Sequence, residues 1–167
     1  MSKRHPIISV VGSSGAGTST VKHTFDQIFR REGINALSIE GDAFHKLNRF
    51  EMKEELARRL AAGDQTFSHF SLEANELTAL EEVFASYGAS GTGKTRRYAH
   101  DDGEAAAYGV PPGHFTEWEE FDPDSDILLY EGLHGAVATD DIRIASHPDL
   151  KIGVVPVINL EWIQKIH

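Results

Sequence analysis

The passage from Pro6 to Gly33 constrains the fold more than any other. Pro6 to Val11 is a short apolar run rich in β-branched residues, and it gives way at once to Gly12-Ser13-Ser14-Gly15-Ala16-Gly17. That grammar predicts a buried strand ending in a glycine-rich turn. Val21, Phe25, Ile28 and Phe29 then recur at offsets of four, seven and eight, an apolar stripe that stops near Gly33 and predicts an amphipathic helix. A strand, loop and helix in this order aims backbone N–H groups and the positive end of a helix at any anion held by the loop.

The rest of the chain extends this unit. Ala36 to Glu40 reads as a second strand, broken by Gly41-Asp42 at the end where parallel sheets expose ligand-binding loops. Helices are predicted from about Phe50 to Ala62 and from Glu73 to Tyr87, with the polar, aromatic segment Thr66-Phe67-Ser68-His69-Phe70-Ser71 between them. From Gly88 to about Ser125, Gly, Pro, Asp and Glu are dense and no long periodicity survives, which predicts a long surface excursion. Ile127 to Tyr130 and Ile152 to Val157 are continuous apolar runs of the kind expected of strands covered on both faces. The alternation predicts an α/β fold, a three-layer sandwich around a mainly parallel sheet. With 167 residues the chain fits a single domain, 1–167. Asn159 can cap a helix beginning Leu160-Glu161-Trp162-Ile163, yet His167 follows after about two turns. The expectation is a domain incomplete at its C-terminal end.

A literal search for G-x-x-x-x-G-K-[ST] finds Gly88-Ala89-Ser90-Gly91-Thr92-Gly93-Lys94-Thr95. This segment follows a predicted helix and precedes Arg96-Arg97-Tyr98, not an apolar helix, so it lacks the context that makes the motif a phosphate cradle. Gly12 to Ser19 has that context, but Thr18 stands where the lysine belongs. Taken alone, it also fits an ordinary Gly/Ser turn. If it holds phosphate, the helix N-terminal amides at Ser19 and Thr20 attract the anion and a cation must come from elsewhere, with Lys165 the candidate.

Phosphoryl transfer to an alcohol needs magnesium on the phosphates, a carboxylate for the hydroxyl proton, and cations for the acceptor and the developing charge. Glu131 follows Ile127-Leu128-Leu129-Tyr130, the place for an acid at the tip of a buried strand, although a solvated strand-end glutamate fits equally well. Asp42 ends the second strand and can serve as a base or simply form a Gly-Asp turn. His45 and Arg49 lie four apart, so one helical face can present both to a phosphate on the acceptor, or to solvent. Arg96, Arg97 and His100 add basic groups that suit a phosphate grip or a solvated loop.

The balance of 16 basic against 26 acidic residues gives a net charge of −10, which argues against nonspecific binding to nucleic acid or an anionic membrane. The absence of cysteine excludes disulfides, thiolate nucleophiles and cysteine-bound zinc. Nine histidines occur without H-E-x-x-H or paired-ligand spacing. MSKRHPIISVV lacks the apolar run of a signal peptide. The expectation is a soluble, cytoplasmic chain.

Taken together, GSSGAGTSTVKHTFDQIFRREG, SIEGDAFH, TFSHFSLEANEL, DILLYEGLHGA and DLKIGVVPVINLEWIQKIH closely resemble the phosphoribulokinase family in its proteobacterial form, along essentially the whole chain. The lysine-less loop, Ser-His-Phe-Ser with Glu-Ala-Asn, and Glu-Gly-Leu-His-Gly recur there together. The resemblance implies a P-loop kinase fold and Mg2+-dependent transfer of the ATP γ-phosphate to the 1-hydroxyl of ribulose 5-phosphate, giving ribulose 1,5-bisphosphate for carbon fixation. It implies Asp42 as catalytic base, Lys165 as a lysine of the nucleotide and phosphate site, and Glu131 as the magnesium-associated acid, with Ser19 supplying the hydroxyl. It makes Gly12, Ser13, Ser14, Gly15, Ala16, Gly17, Thr18, Ser19 and Thr20 the ATP loop. It makes His45, Arg49, Lys53, Arg97, Tyr98 and His100 sugar-phosphate contacts. It further implies a homo-oligomer responsive to NADH and AMP.

Chloroplast relatives carry cysteine and lysine where this chain has Ala16 and Thr18, so thioredoxin-type regulation is not expected. Relatives also continue past His167 with an Arg-Asp pair and further sheet and lid elements. Uridine and pantothenate kinases share the architecture but typically retain the loop lysine. A nucleotide-binding module without turnover is the reading from another class. A GTPase is disfavoured, because no Asn-Lys-x-Asp is present.

Overall fold

The computed structural model describes residues 4–121 and 124–156. Lys165 and the helix expected after Asn159 lie outside them. The element order is β1 (Ile7–Gly12), α1 (Thr18–Glu32), β2 (Ala36–Glu40), α2 (Arg49–Ala61), α3 (Leu77–Ser90), β3 (Lys94–Thr95), α4 (Asp102–Tyr108), β4 (Glu119–Glu120), β5 (Ile127–Gly132) and β6 (Leu150–Val154).

The main sheet has the order β2-β5-β1-β6, and all its pairings are parallel. The central strands β1 and β5 are largely apolar because both their faces are covered. The outer strands β2 and β6 carry exposed polar residues, so β6, at Leu150–Val154, is not the strand covered on both faces that its apolar run predicts. Ile8, Val10 and Leu129 point to one side, where Val21, Phe25 and Phe29 of α1 meet them. Ile7, Ile39, Leu128 and Tyr130 point to the other, against Leu77, Leu80, Val83, Phe84 and Tyr87 of α3. The result is the three-layer α/β sandwich expected, and each fully buried Leu, Ile or Phe in it contributes about 1.5–3 kcal/mol.

Helix boundaries follow local chemistry. α1 begins after Gly17, whose φ of 96° is open to glycine but strained for residues with a Cβ. It ends at Gly33, whose N–H returns to the Phe29 and Arg30 carbonyls. α2 begins at Arg49 because Asn48 and Glu51 form a capping box: the Asn48 side chain accepts from the Phe50 and Glu51 amides, and the Glu51 carboxylate from the Asn48 amide at 2.9 Å. His45 is therefore outside the helix, which corrects the expectation that one helical face presents His45 and Arg49 together. α3 starts at Leu77, after a 3-10 turn at Leu72–Ala74, and runs on through Gly88 to Ser90.

The stretch expected to be a surface excursion folds back onto the core. β3 and β4 pair antiparallel, Tyr98 bridges to Phe115, and fully buried Ala99 exchanges backbone hydrogen bonds with Gly113 and His114. This return brings the start of α4 over the C-terminal edge of the main sheet.

Candidate active site

The C-terminal ends of β1, β2 and β5 converge on one cleft of about 350 Å³, as ligand sites in open parallel sheets do. The glycine-rich loop Gly12–Gly17 forms one wall, with α1 pointing its N-terminus at the cleft and no side chain capping it. Glu131 stands beside it, in register with Val10 on one side and Glu40 on the other. Ser19 Oγ donates to Glu131 Oε1 at 3.5 Å. A hydroxyl and a carboxylate facing each other are hard oxygen donors of the kind Mg2+ takes, so these two residues fit that ion.

Thr18, in the lysine position, is buried, and its methyl seals the loop from below. A Cβ on Gly12 would lie 2.8 Å from Thr18 Cγ2 and 2.8 Å from the Val154 carbonyl. Across the cleft, Gly41 and Gly132 bring β2 and β5 together so closely that a Cβ on Gly132 would lie 2.8 Å from Gly41 Cα. That approach fixes where β2 hands over to the turn that carries Asp42.

Asp42 lies in the 3-10 turn Gly41–Phe44 that follows β2. Its Oδ1 faces His45 Nε2 at 3.2 Å and its Oδ2 faces His100 Nε2 at 2.8 Å. Asn75 orients the first ring. It uses its amide hydrogens on the His69 and Ser71 carbonyls, so its Oδ1 accepts from His45 Nδ1 at 2.7 Å and Nε2 is left for Asp42. Glu104 orients the second, meeting His100 Nδ1 at 2.8 Å. The His45 hydrogen bond is the largest influence on Asp42 and outweighs its burial, and with His100 it holds the carboxyl down to about 2. Burial lowers the pKa of His100, but the hydrogen bonds to Asp42 and Glu104 outweigh that and the net shift is upward. His69 and His134 go the other way, pushed down mainly by burial.

The structure brings Gly12, Ser13, Ser14, Gly15, Thr18, Ser19, Asp42, His45, His100 and Glu131 to this one cleft. Arg49 is next to it: its backbone N–H bonds the Gly113 carbonyl, and its Nη2 donates to the His100 carbonyl at 2.7 Å. Lys53 is exposed on α2. Arg97 and Tyr98 line a neighbouring groove along β2, the guanidinium lying 5.1 Å over the Tyr108 ring. Sequence reasoning assigned no role to Glu104, Asn75 or His134, although His134 belongs to the quoted Glu-Gly-Leu-His-Gly. Its Nε2 contacts the Phe70 carbonyl at 3.1 Å, pinning the aromatic segment to the cleft rim.

Among the described residues, the cleft's carboxylates are Glu40, Asp42, Glu104 and Glu131, and its basic side chains are His45, His100 and His134. A phosphate chain entering this acidic wall needs metal and further cations beside it.

Fold and loop together place the chain among the P-loop kinases. The chain belongs to the phosphoribulokinase / uridine kinase family, which it matches over residues 7–167. It is 72% identical to phosphoribulokinase 1 of Cereibacter sphaeroides across all of its own length and 58% of that protein's. The solved structure of phosphoribulokinase from Rhodobacter spheroides superposes with a TM-score of 0.88 at 67% identity, covering 99% of this chain and 56% of that one. A possible uridine kinase from Bacillus stearothermophilus shares the fold at 16% identity, with a TM-score of 0.65 over 98% of this chain and 78% of its own. The chain spans 57–58% of the length of curated relatives such as phosphoribulokinase 1.

Proposed function

We propose that this chain supplies the ATP loop and the catalytic acid–base wall of a kinase that transfers the γ-phosphoryl of ATP to the 1-hydroxyl of ribulose 5-phosphate. The observation that carries the reading is Asp42, an ionised carboxylate facing the glycine-rich loop across one cleft. The relatives named phosphoribulokinase supply the acceptor.

The loop amides and the α1 N-terminus bind the phosphate chain. Ser19 and Glu131 would hold Mg2+, which supplies neutralisation of charge on the transferring group. Asp42 has lone pairs left beyond those engaged by His45 and His100, and with these it accepts a hydrogen bond from the acceptor hydroxyl. A carboxylate held at about 2 is a weak base. It takes the proton late, so its main work is to keep the hydroxyl in line for a loose transition state. His45 and His100, with Arg49 behind, form the basic side facing the acceptor phosphate. Lys53, Arg97 and Tyr98 extend that side, and Lys165 supplies the cation the loop lacks. Homo-oligomeric assembly, response to NADH and AMP, and a cytoplasmic location belong to the same reading.

The test is a coupled ADP-release assay on the full-length protein with Mg-ATP and ribulose 5-phosphate, with phosphorus NMR to identify the product. ADP release that requires ribulose 5-phosphate and yields the 1,5-bisphosphate is the expected result. Release driven instead by uridine or pantothenate overturns the acceptor assignment.

A further inference from the structure

The position of Asp42 depends on one short turn, and we infer that Arg96 is the positioning residue that holds this turn in place. The inference rests on the phosphotransfer reading for its kinetic consequence but not for its geometry. The turn Gly41–Phe44 ends at His45, whose N–H returns to the Asp42 carbonyl at 3.3 Å. A turn that stops there leaves its last carbonyls without helical partners. Arg96 takes one of them and the carbonyl of the closing residue, Nε donating to Ala43 O at 2.8 Å and Nη2 to His45 O at 2.6 Å.

The guanidinium is held in turn. It lies 3.8 Å over the Phe115 ring and 4.7 Å over Trp118, and Trp118 packs edge-on against Phe44 of the same turn. Two donors in a rigid planar fork fix both a distance and a direction, which a lysine ammonium on a flexible stem does not. Four residues further along the same segment, His100 reaches the Asp42 carboxylate itself. Residues 96–100 therefore grip Asp42 from behind through the backbone and from the front through the side chain. Arg96 is not in the cleft wall; it acts through Asp42 and His45.

Two variants test this, with two readouts. Arg96→Lys keeps the charge and removes the fork, while Phe115→Leu keeps the fork and removes the ring beneath it. In the full-length protein Arg96→Lys is expected to lower kcat about tenfold or more with the KM for ATP unchanged, and Phe115→Leu to do so less strongly. In this chain, carboxyl NMR is expected to show the Asp42 titration midpoint rising in both variants, since its imidazole partners no longer meet it at fixed distance. This second readout needs no turnover. If the parent protein fails to phosphorylate ribulose 5-phosphate, the functional reading fails while the Asp42 midpoint still decides the role of Arg96. An unchanged midpoint in both variants, or variants that simply lose their fold, makes Arg96 a scaffold residue and overturns the inference.

Discussion

Gly12–Ser19 lies between the end of β1 and the first turn of α1, whereas Gly88–Thr95 begins in the last turn of α3 and ends in β3. The second segment has the full G-x-x-x-x-G-K-[ST] spelling, and the first lacks its lysine. Position reverses what the letters suggest. The first loop meets the positive end of a helix, with Glu131 beside it and Asp42 across the cleft. The second starts at a helix C-terminus, where carbonyls point outward and the dipole repels anions. Its Lys94 is 62% exposed and lies 3.8 Å from Glu120. The comparison teaches that a phosphate motif is a statement about backbone amides at a helix start, and that its letters without that place do not make one.

The largest effect that separates the two regions is expected at Asp42. Asp42→Asn in the full-length protein removes the proton acceptor and should lower kcat by about 10²–10⁴-fold while Mg-ATP affinity stays within about twofold, read by steady-state kinetics and calorimetry. Retained turnover would dismiss Asp42 as the base. Next comes Gly12→Val, which places atoms against Thr18 and the Val154 carbonyl and should weaken Mg-ATP binding by more than about tenfold. The matching change in the second loop, Gly88→Ala, meets nothing nearer than Ile7 Cδ1 at 3.8 Å. It removes a glycine from a helix and should leave binding alone while raising stability by about 0.5–1 kcal/mol in a thermal melt.

A smaller effect distinguishes the regions by pH. Asp42 has a lowered pKa, so its contribution to stability is present above the unfolded value of about 3.9 and is lost as pH falls through about 2. His100 is raised, so its contribution is present below about 6.5 and is lost as pH rises through the folded value. The pair therefore stabilises most between these limits, and His100→Gln should lower the melting temperature there and progressively less at higher pH. A constant difference across the range would break the assignment. The smallest effect belongs to Lys94→Ala, which removes an exposed ion pair and should shift stability by under about 1 kcal/mol with no change in nucleotide affinity.

The main sheet was readable because its signals are local and periodic: β-branched runs that end in glycine, and the Val21–Phe29 stripe of α1. Asp42 and Glu131 were readable as strand-end acids for the same reason. What escaped depends on returns of the chain that leave no periodic trace. The stretch around Ala99 looked like a surface excursion, yet backbone bonds to Gly113 and His114, with Arg96 lodged against Phe115, bring His100 to Asp42. Asn75 is a buried amide bonded to carbonyls of the preceding loop and to His45, and although it ends the quoted Glu-Ala-Asn, nothing in its spacing ties it to Asp42. The Asn48–Glu51 capping box is spelled in the sequence; it starts α2 at Arg49 and so rules out a helical face shared by His45 and Arg49, which their spacing of four suggests on its own.

The comparison of the two loops is tested most directly by titrating Mg-ATP into isotopically labelled protein and following backbone amide shifts. Saturable shifts concentrated on residues 12–20, with 88–95 unmoved, are the predicted result. Shifts centred on 88–95, with 12–20 unmoved, would contradict the account and move the nucleotide to the loop that carries the lysine.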